Sequence, residues 1–192
     1  MISMLSIQRR SLFGLAAGAL LPFAAPARAA SANACGLTVL TVSGLIGAPN
    51  RAPFDPERDR FFNHCNLAFK QARTFDAPAL AKFPRETVTV DIYGKDAVCS
   101  GPRLHEILAA ANPLSEAKTA RLSALDAYAA EIPLADVKDQ QWILAMEANG
   151  QPFAIGDFGP LFAMRQLAPR QTKTADEEMK WVHSLFYIEL AA

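Results

Sequence analysis

"ETVTVDIYGKDAVCSGPRLHEIL", residues Glu86–Leu108, is the stretch from which the fold of this chain is read. Its first half is an alternating, β-branched run and its second half an apolar run at helical spacing. It predicts a hairpin: a strand from Thr87 to Tyr93, a turn over Gly94 to Asp96, and a short return strand holding Val98 and Cys99. Pro102 then opens a helix whose buried side is Leu104, Ile107, Leu108 and Ala111, ended by Asn112 and Pro113.

Upstream, "GLTVLTVSGLIG" predicts a strand from Leu37 to Ser43 closed by Gly44, followed by a loop with Pro49, Pro53 and Pro56. "PERDRFFNHCNLAFKQA" places Phe61, Cys65, Ala68 or Phe69, and Ala72 on one face of a short amphipathic helix. Leu67 and Phe69 alternate, so a strand is the alternative there. In "FDAPALAKFP", Asp76 is expected to cap a helix of one or two turns, with Pro78 in its first turn and Leu80 and Phe83 buried.

Downstream, "TARLSAL", "YAAEIPL", "WILAMEAN", "PLFAMRQL" and "WVHSLFYIEL" all read as strands, with Asn149 and Gly150 marking a tight turn and "PLADV" a single helical turn. Glu131, between Ala130 and Ile132 in an alternating strand, is expected to face solvent. Short strands outnumber helices and there is no regular βαβ alternation, so the expected class is α+β, mainly β.

The first thirty residues have the parts of an export signal. Arg9 and Arg10 precede an apolar stretch from Leu12 to Ala25, and Ala27-Arg28-Ala29 fits a small-x-small cleavage site, with cleavage expected before Ala30. The paired arginines resemble the twin-arginine class, which implies a periplasmic protein carried across the membrane already folded. The leader holds three arginines and no acid. The whole chain has 19 basic and 19 acidic side chains, so the mature chain, residues 30–192, has an acidic excess of three. That balance offers no basic face for nucleic acid. About 160 residues suffice for one domain with its own core.

Cys35, Cys65 and Cys99 are the three cysteines and His64, His105 and His183 the three histidines. No CxxC or Cys/His cluster occurs, which argues against a structural zinc site. If any disulfide forms, Cys35 with Cys65 is the expected pair. The histidines are scattered and read as surface or boundary residues.

From Leu37 onward the order of "FDAPALAKFP", "ETVTVDI", "SGPRLHEIL", "LSALDAYAAEIPLAD", "LAMEANGQPF", "GDFGPLF" and "KWVHSLFYIEL" resembles the molybdopterin-binding domain of the sulfite-oxidase-like oxidoreductases. In the enzymes of that family the metal-binding cysteine stands at or just after the end of the strand matching "ETVTVDI". Here Asp91, Ile92, Tyr93 and Gly94 hold that place. Cys99 falls on the return strand, where a small buried residue is expected, and a buried thiol is a poor ligand.

The length, the leader, "LDAYAAEIPL" and "GPLF" are similar to those of shorter exported members without the cysteine. These include periplasmic pterin-binding regulators that work beside a membrane-bound diguanylate cyclase. The chain departs from them after "GPLF", where Met164, Arg165 and Gln166 stand.

The resemblance implies a pterin as ligand, without molybdenum, and a pocket drawn from Tyr93, Asp126, Tyr128, Phe162, Arg165, Lys180 and Trp181. A flat pterin calls for aromatic faces and for a carboxylate to meet its amino edge. The ordinary readings are a turn residue for Tyr93 and Asp126, a core aromatic for Phe162 and Trp181, and a solvated charge for Lys180. Tyr128 divides between core and pocket, and Arg165 has a surface ion pair with Glu131 or Asp157 as its alternative. Two rival functions remain: a molybdopterin-dependent oxidoreductase in which Cys99 binds the metal, and an interaction module that kept only the scaffold.

Overall fold

The computed structural model describes residues 36–92, 94–167 and 173–192. The leader expected over residues 1–29, Cys35 and Tyr93 therefore lie outside the described residues. Along the chain come β1 (Thr38–Gly44), α1 (Arg60–His64), β2 (Ala72–Asp76), α2 (Ala77–Leu80), β3 (Arg85–Ile92), β4 (Lys95–Pro102) and α3 (Leu104–Ala110). They are followed by β5 (Thr119–Ala124), β6 (Ala129–Pro133), α4 (Leu134–Asp139), β7 (Trp142–Ala145), β8 (Glu147–Ala148), β9 (Gln151–Pro152), β10 (Phe162–Arg165), α5 (Ala175–Glu178) and β11 (Leu185–Ala191). The class is α+β and mainly β, as the sequence leads one to expect.

The strands form three sheets. The largest has the order β2-β1-β11-β5-β6. Its centre is a parallel pair in which Val42 of β1 stands opposite Ile188 of β11. The β3–β4 hairpin grows into a four-stranded sheet, β3-β4-β8-β9, and β10 pairs with β7 in a third. Buried residues of the hairpin (Val88, Val90, Ala97 and Cys99) join Leu40, Val42, Leu122 and Ile188 in one core with Leu104, Ile107 and Leu108 of α3. Gly101 lets β4 lie directly against β7: a Cβ there would stand 2.0 Å from the Leu144 carbonyl oxygen.

The hairpin turn is tighter than the sequence suggests. Ile92 pairs with Lys95 and Asp91 with Asp96, so the two strands stay in register up to Ile92 and Lys95. Asp91 Oδ1 accepts from the Gly94 N–H at 2.6 Å, and Gly94 has φ of 78°, where a side chain would be strained. At Asn149 and Gly150, φ values of 49° and 74° join β8 to β9 as the sequence predicts.

Two expectations are corrected. The helix read across residues 56–72 is only the short α1, which has no buried residue; Asn66, at φ 56°, ends it. Phe69 is then buried outside any helix, in a cluster with Phe186 and Tyr187, and Ala72 begins β2, a strand the helical pattern concealed. The last strand starts at Leu185 and not at Lys180–Trp181, because Ser184 turns with φ of 51°. Cys65 and Cys99 are free thiols among the described residues; the pairing of Cys35 with Cys65 expected if any disulfide forms involves Cys35, which lies outside the described residues. Asp76 does cap α2, accepting from the Ala79 N–H at 2.7 Å, with Leu80 buried and Phe83 half-buried. Among the described residues no helix is long and apolar enough to cross a membrane.

Candidate functional site

Where β3 ends, Asp91 and Ile92 form one wall of a cavity of about 290 Å³. The β5–β6 turn contributes Asp126 and Tyr128, the loop before β10 brings Phe158, and β10 opens with Phe162. The far wall comes from Lys173, Glu178, Met179, Trp181 and His183, around and after α5. Four rings crowd one side. Phe158 and Phe162 stack at 5.6 Å with planes 7° apart, Trp181 meets Phe162 edge-on at 6.2 Å, and His183 stands edge-on to both phenylalanines. Asp91, Asp126 and Glu178 supply carboxylates against one ammonium, Lys173. This is an aromatic slot with an acidic rim, suited to a flat heterocycle that carries N–H donors on its edge.

The far wall is held from behind. Glu177 is buried, and its Oε2 accepts from Arg165 Nη2 at 2.7 Å while Oε1 accepts from the Trp181 indole N–H at 3.1 Å. One carboxylate thus fixes the indole and is neutralised by a guanidinium arising from β10. Thr174 caps α5 by accepting from the Glu177 N–H at 3.2 Å. In front, Tyr128 donates its hydroxyl proton to the Met179 carbonyl at 2.5 Å. Lys173 lies 3.0 Å from Glu178 Oε1, 3.3 Å from the Asp91 carbonyl oxygen and 5.3 Å from the Trp181 ring centre.

Of the residues singled out from the sequence, Asp126, Tyr128, Phe162 and Trp181 line this cavity. Arg165, expected in the pocket, does not; nor does it make the alternative surface pair with Glu131 or Asp157, since it forms a buried pair with Glu177. Lys180 is half-buried beside the cavity and not on its wall. Tyr93 lies outside the described residues. Sequence reasoning missed Phe158, Lys173, Glu178 and Met179 as wall residues and set His183 aside. Phe158 was the one with a signal, since it sits inside "GDFGPLF". Glu131 is exposed, as its alternating strand predicts.

A molybdenum centre of the family's kind needs a soft thiolate aimed into the pocket. The two described thiols do not supply one. Cys65 and Cys99 are both absent from the wall. Cys99 is fully buried in the core, paired across β4 with Val88 and Ala148, and burial pushes its thiol from 9.0 up to about 11. The described residues also hold no group of three His, Cys, Asp or Glu side chains placed to bind a metal. Among the described residues the lining offers aromatic rings and carboxylates and no thiolate to hold a metal.

Comparison with known proteins identifies the family and the fold. A family profile described as "Oxidoreductase molybdopterin binding domain" matches residues 56–189. The fold is similar to that of the sulfane dehydrogenase SoxCD from Paracoccus pantotrophus, with a TM-score of 0.54 and 18% sequence identity. That likeness covers 79% of this chain and 37% of the SoxCD chain, so this chain spans well under half of the larger protein. None of the curated proteins compared matches the chain. With most of its length matched, from before α1 to within β11, the chain belongs to the oxidoreductase molybdopterin-binding domain family.

Proposed function

We propose that this chain is a periplasmic pterin-binding protein that works without molybdenum and reports its ligand state to a membrane-bound diguanylate cyclase. The observation that carries the reading is the wall at the end of β3. Asp91 and Ile92 stand there, at the place where the sulfite-oxidase-like enzymes keep their cysteine, and the walls are aromatic and acidic. The pterin ring lies against the aromatic side formed by Phe158, Phe162 and Trp181, and its 2-amino edge donates to Asp126 or Asp91. The twin-arginine-type leader supports the periplasmic address. The signalling partner rests on the resemblance to the shorter, cysteine-free members of the family.

The test is to purify the protein from periplasm, measure molybdenum by elemental analysis and chromatograph the released material for fluorescent oxidised pterins. A pterin without metal is the expected result. Stoichiometric molybdenum that disappears in Cys99→Ala would make the chain a metal-loaded oxidoreductase instead, and neither pterin nor metal would point to an interaction module.

A further inference from the structure

A second concavity, of about 670 Å³, shares no lining residue with the pterin pocket. It lies beside β1 and α1, and its apolar walls include Leu37, Phe61, Phe62, Phe153, Ile155 and Phe186. Leu37, Ile155 and Phe61 are 78%, 71% and 46% exposed. Three large apolar side chains left open to water around one groove mark a surface that gains by being covered.

The same groove contains a built charge cluster. Asp59, 6% exposed, accepts from Arg51 Nη2, lies 3.6 Å from Arg58 Nε, and accepts at its other oxygen from the Asp55 N–H at 3.1 Å. The Arg51 guanidinium lies 5.0 Å from the centre of the Phe62 ring and 4.9 Å from that of Phe69, which fixes its place. Arg58, more than half exposed, is held loosely. Asp55 turns its carboxylate to the backbone N–H groups of Glu57 and Arg58 and is not on the wall. Two guanidinia therefore share one carboxylate, and the described lining carries one net positive charge, with the half-exposed Arg58 beside the apolar walls.

We propose that this groove is a second ligand site, for an amphiphilic monocarboxylate of the fatty-acid kind. The carboxylate meets Arg58 and the outer face of Arg51, and the hydrocarbon body covers Leu37, Phe61 and Ile155. A single anion neutralises the groove's net charge, and the chain removes from water the side chains that are now open to it. A cation of the same length finds a repulsive end. The volume lies in the ordinary range for small-molecule sites, and the site does not depend on the pterin reading.

Calorimetric titration of the purified protein with laurate, below its micellar concentration, tests the proposal against dodecylammonium. One laurate per chain is expected, with dodecylammonium at least tenfold weaker. Equal affinity for the two, or no binding of laurate, overturns the assignment. In the protein itself, Ile155→Asp places a carboxylate on the wall and should weaken laurate tenfold or more, while Arg58→Gln should weaken it severalfold. Both side chains are exposed, so both variants should keep the wild-type melting temperature. Unchanged laurate affinity in both variants also overturns the proposal, and the headgroup comparison on the wild-type protein is independent of how they fold.

Discussion

Cys99 shows how much one residue decides. It is the cysteine nearest the family's ligand position in sequence, yet it is fully buried between β3 and β8, and its thiol is pushed up to about 11. Burial likewise raises the Tyr187 phenol above 10.0, against a hydrogen bond with Ser43 that lowers it. The consequence for stability has a definite sign. Below pH 9 the folded and unfolded chains both hold the Cys99 proton. Between pH 9 and about 11 the unfolded chain releases it while the folded chain keeps it, so stability falls as pH rises. The urea midpoint should therefore drop from pH 8 to pH 10, and Cys99→Ala should flatten part of that drop while costing about 1 kcal/mol at pH 8 through the lost sulfur packing. A slope identical to wild type would show that Cys99 ionises as an exposed thiol does. The core position of Cys99 was expected from the family resemblance, which implies a small buried residue on the return strand; in the structure Ala97 and Cys99 are buried on one side of β4 and Val98 is exposed on the other.

At the scale of elements, α5 and the strand behind it act as one unit through Glu177. Arg165→Met would leave the Glu177 carboxylate buried without its cation, at a cost of about 3 kcal/mol. Chemical denaturation measures it. Adding Glu177→Leu should restore most of that stability, because an apolar pair replaces a buried ionic one, while leaving the Trp181 indole N–H without its acceptor and so weakening ligand binding. Stability that the second change does not restore would contradict this account of the pair.

Gly101 is the second point of leverage. Gly101→Ala brings a methyl group to within 2.0 Å of the Leu144 carbonyl oxygen, so the hairpin must move away from β7. A loss of about 3 kcal/mol or more is expected by the same measurement. Neither contact was readable in advance. Arg165 and Glu177 are twelve residues apart across a segment without periodicity, and the Gly101–Leu144 approach depends on how two sheets pack, which local pattern does not encode. β2 was hidden for a related reason: Phe69 and Ala72 satisfy a helical spacing, but the chain turns at Asn66, leaving Phe69 in a loop and Ala72 at the start of β2.

For the whole molecule, the chain's architecture was written in the order of its short motifs, and its pocket only in part. The aromatic and acidic members sit in recognisable turns: Asp126 and Tyr128 between β5 and β6, and Phe162 after the glycine-proline corner. The far wall was not legible, because Lys173, Glu178, Met179 and His183 look like ordinary surface residues until α5 brings them opposite β3. The described lining offers rings and carboxylates, and the proposal built on it is that the pocket takes a pterin without a metal. Anaerobic calorimetric titration of metal-free protein with tetrahydropterin tests that claim directly. One pterin should bind per chain with no metal added, and Trp181→Ala should weaken binding at least tenfold, about 1.4 kcal/mol. Absence of binding without molybdenum, or equal binding by Trp181→Ala, would contradict it.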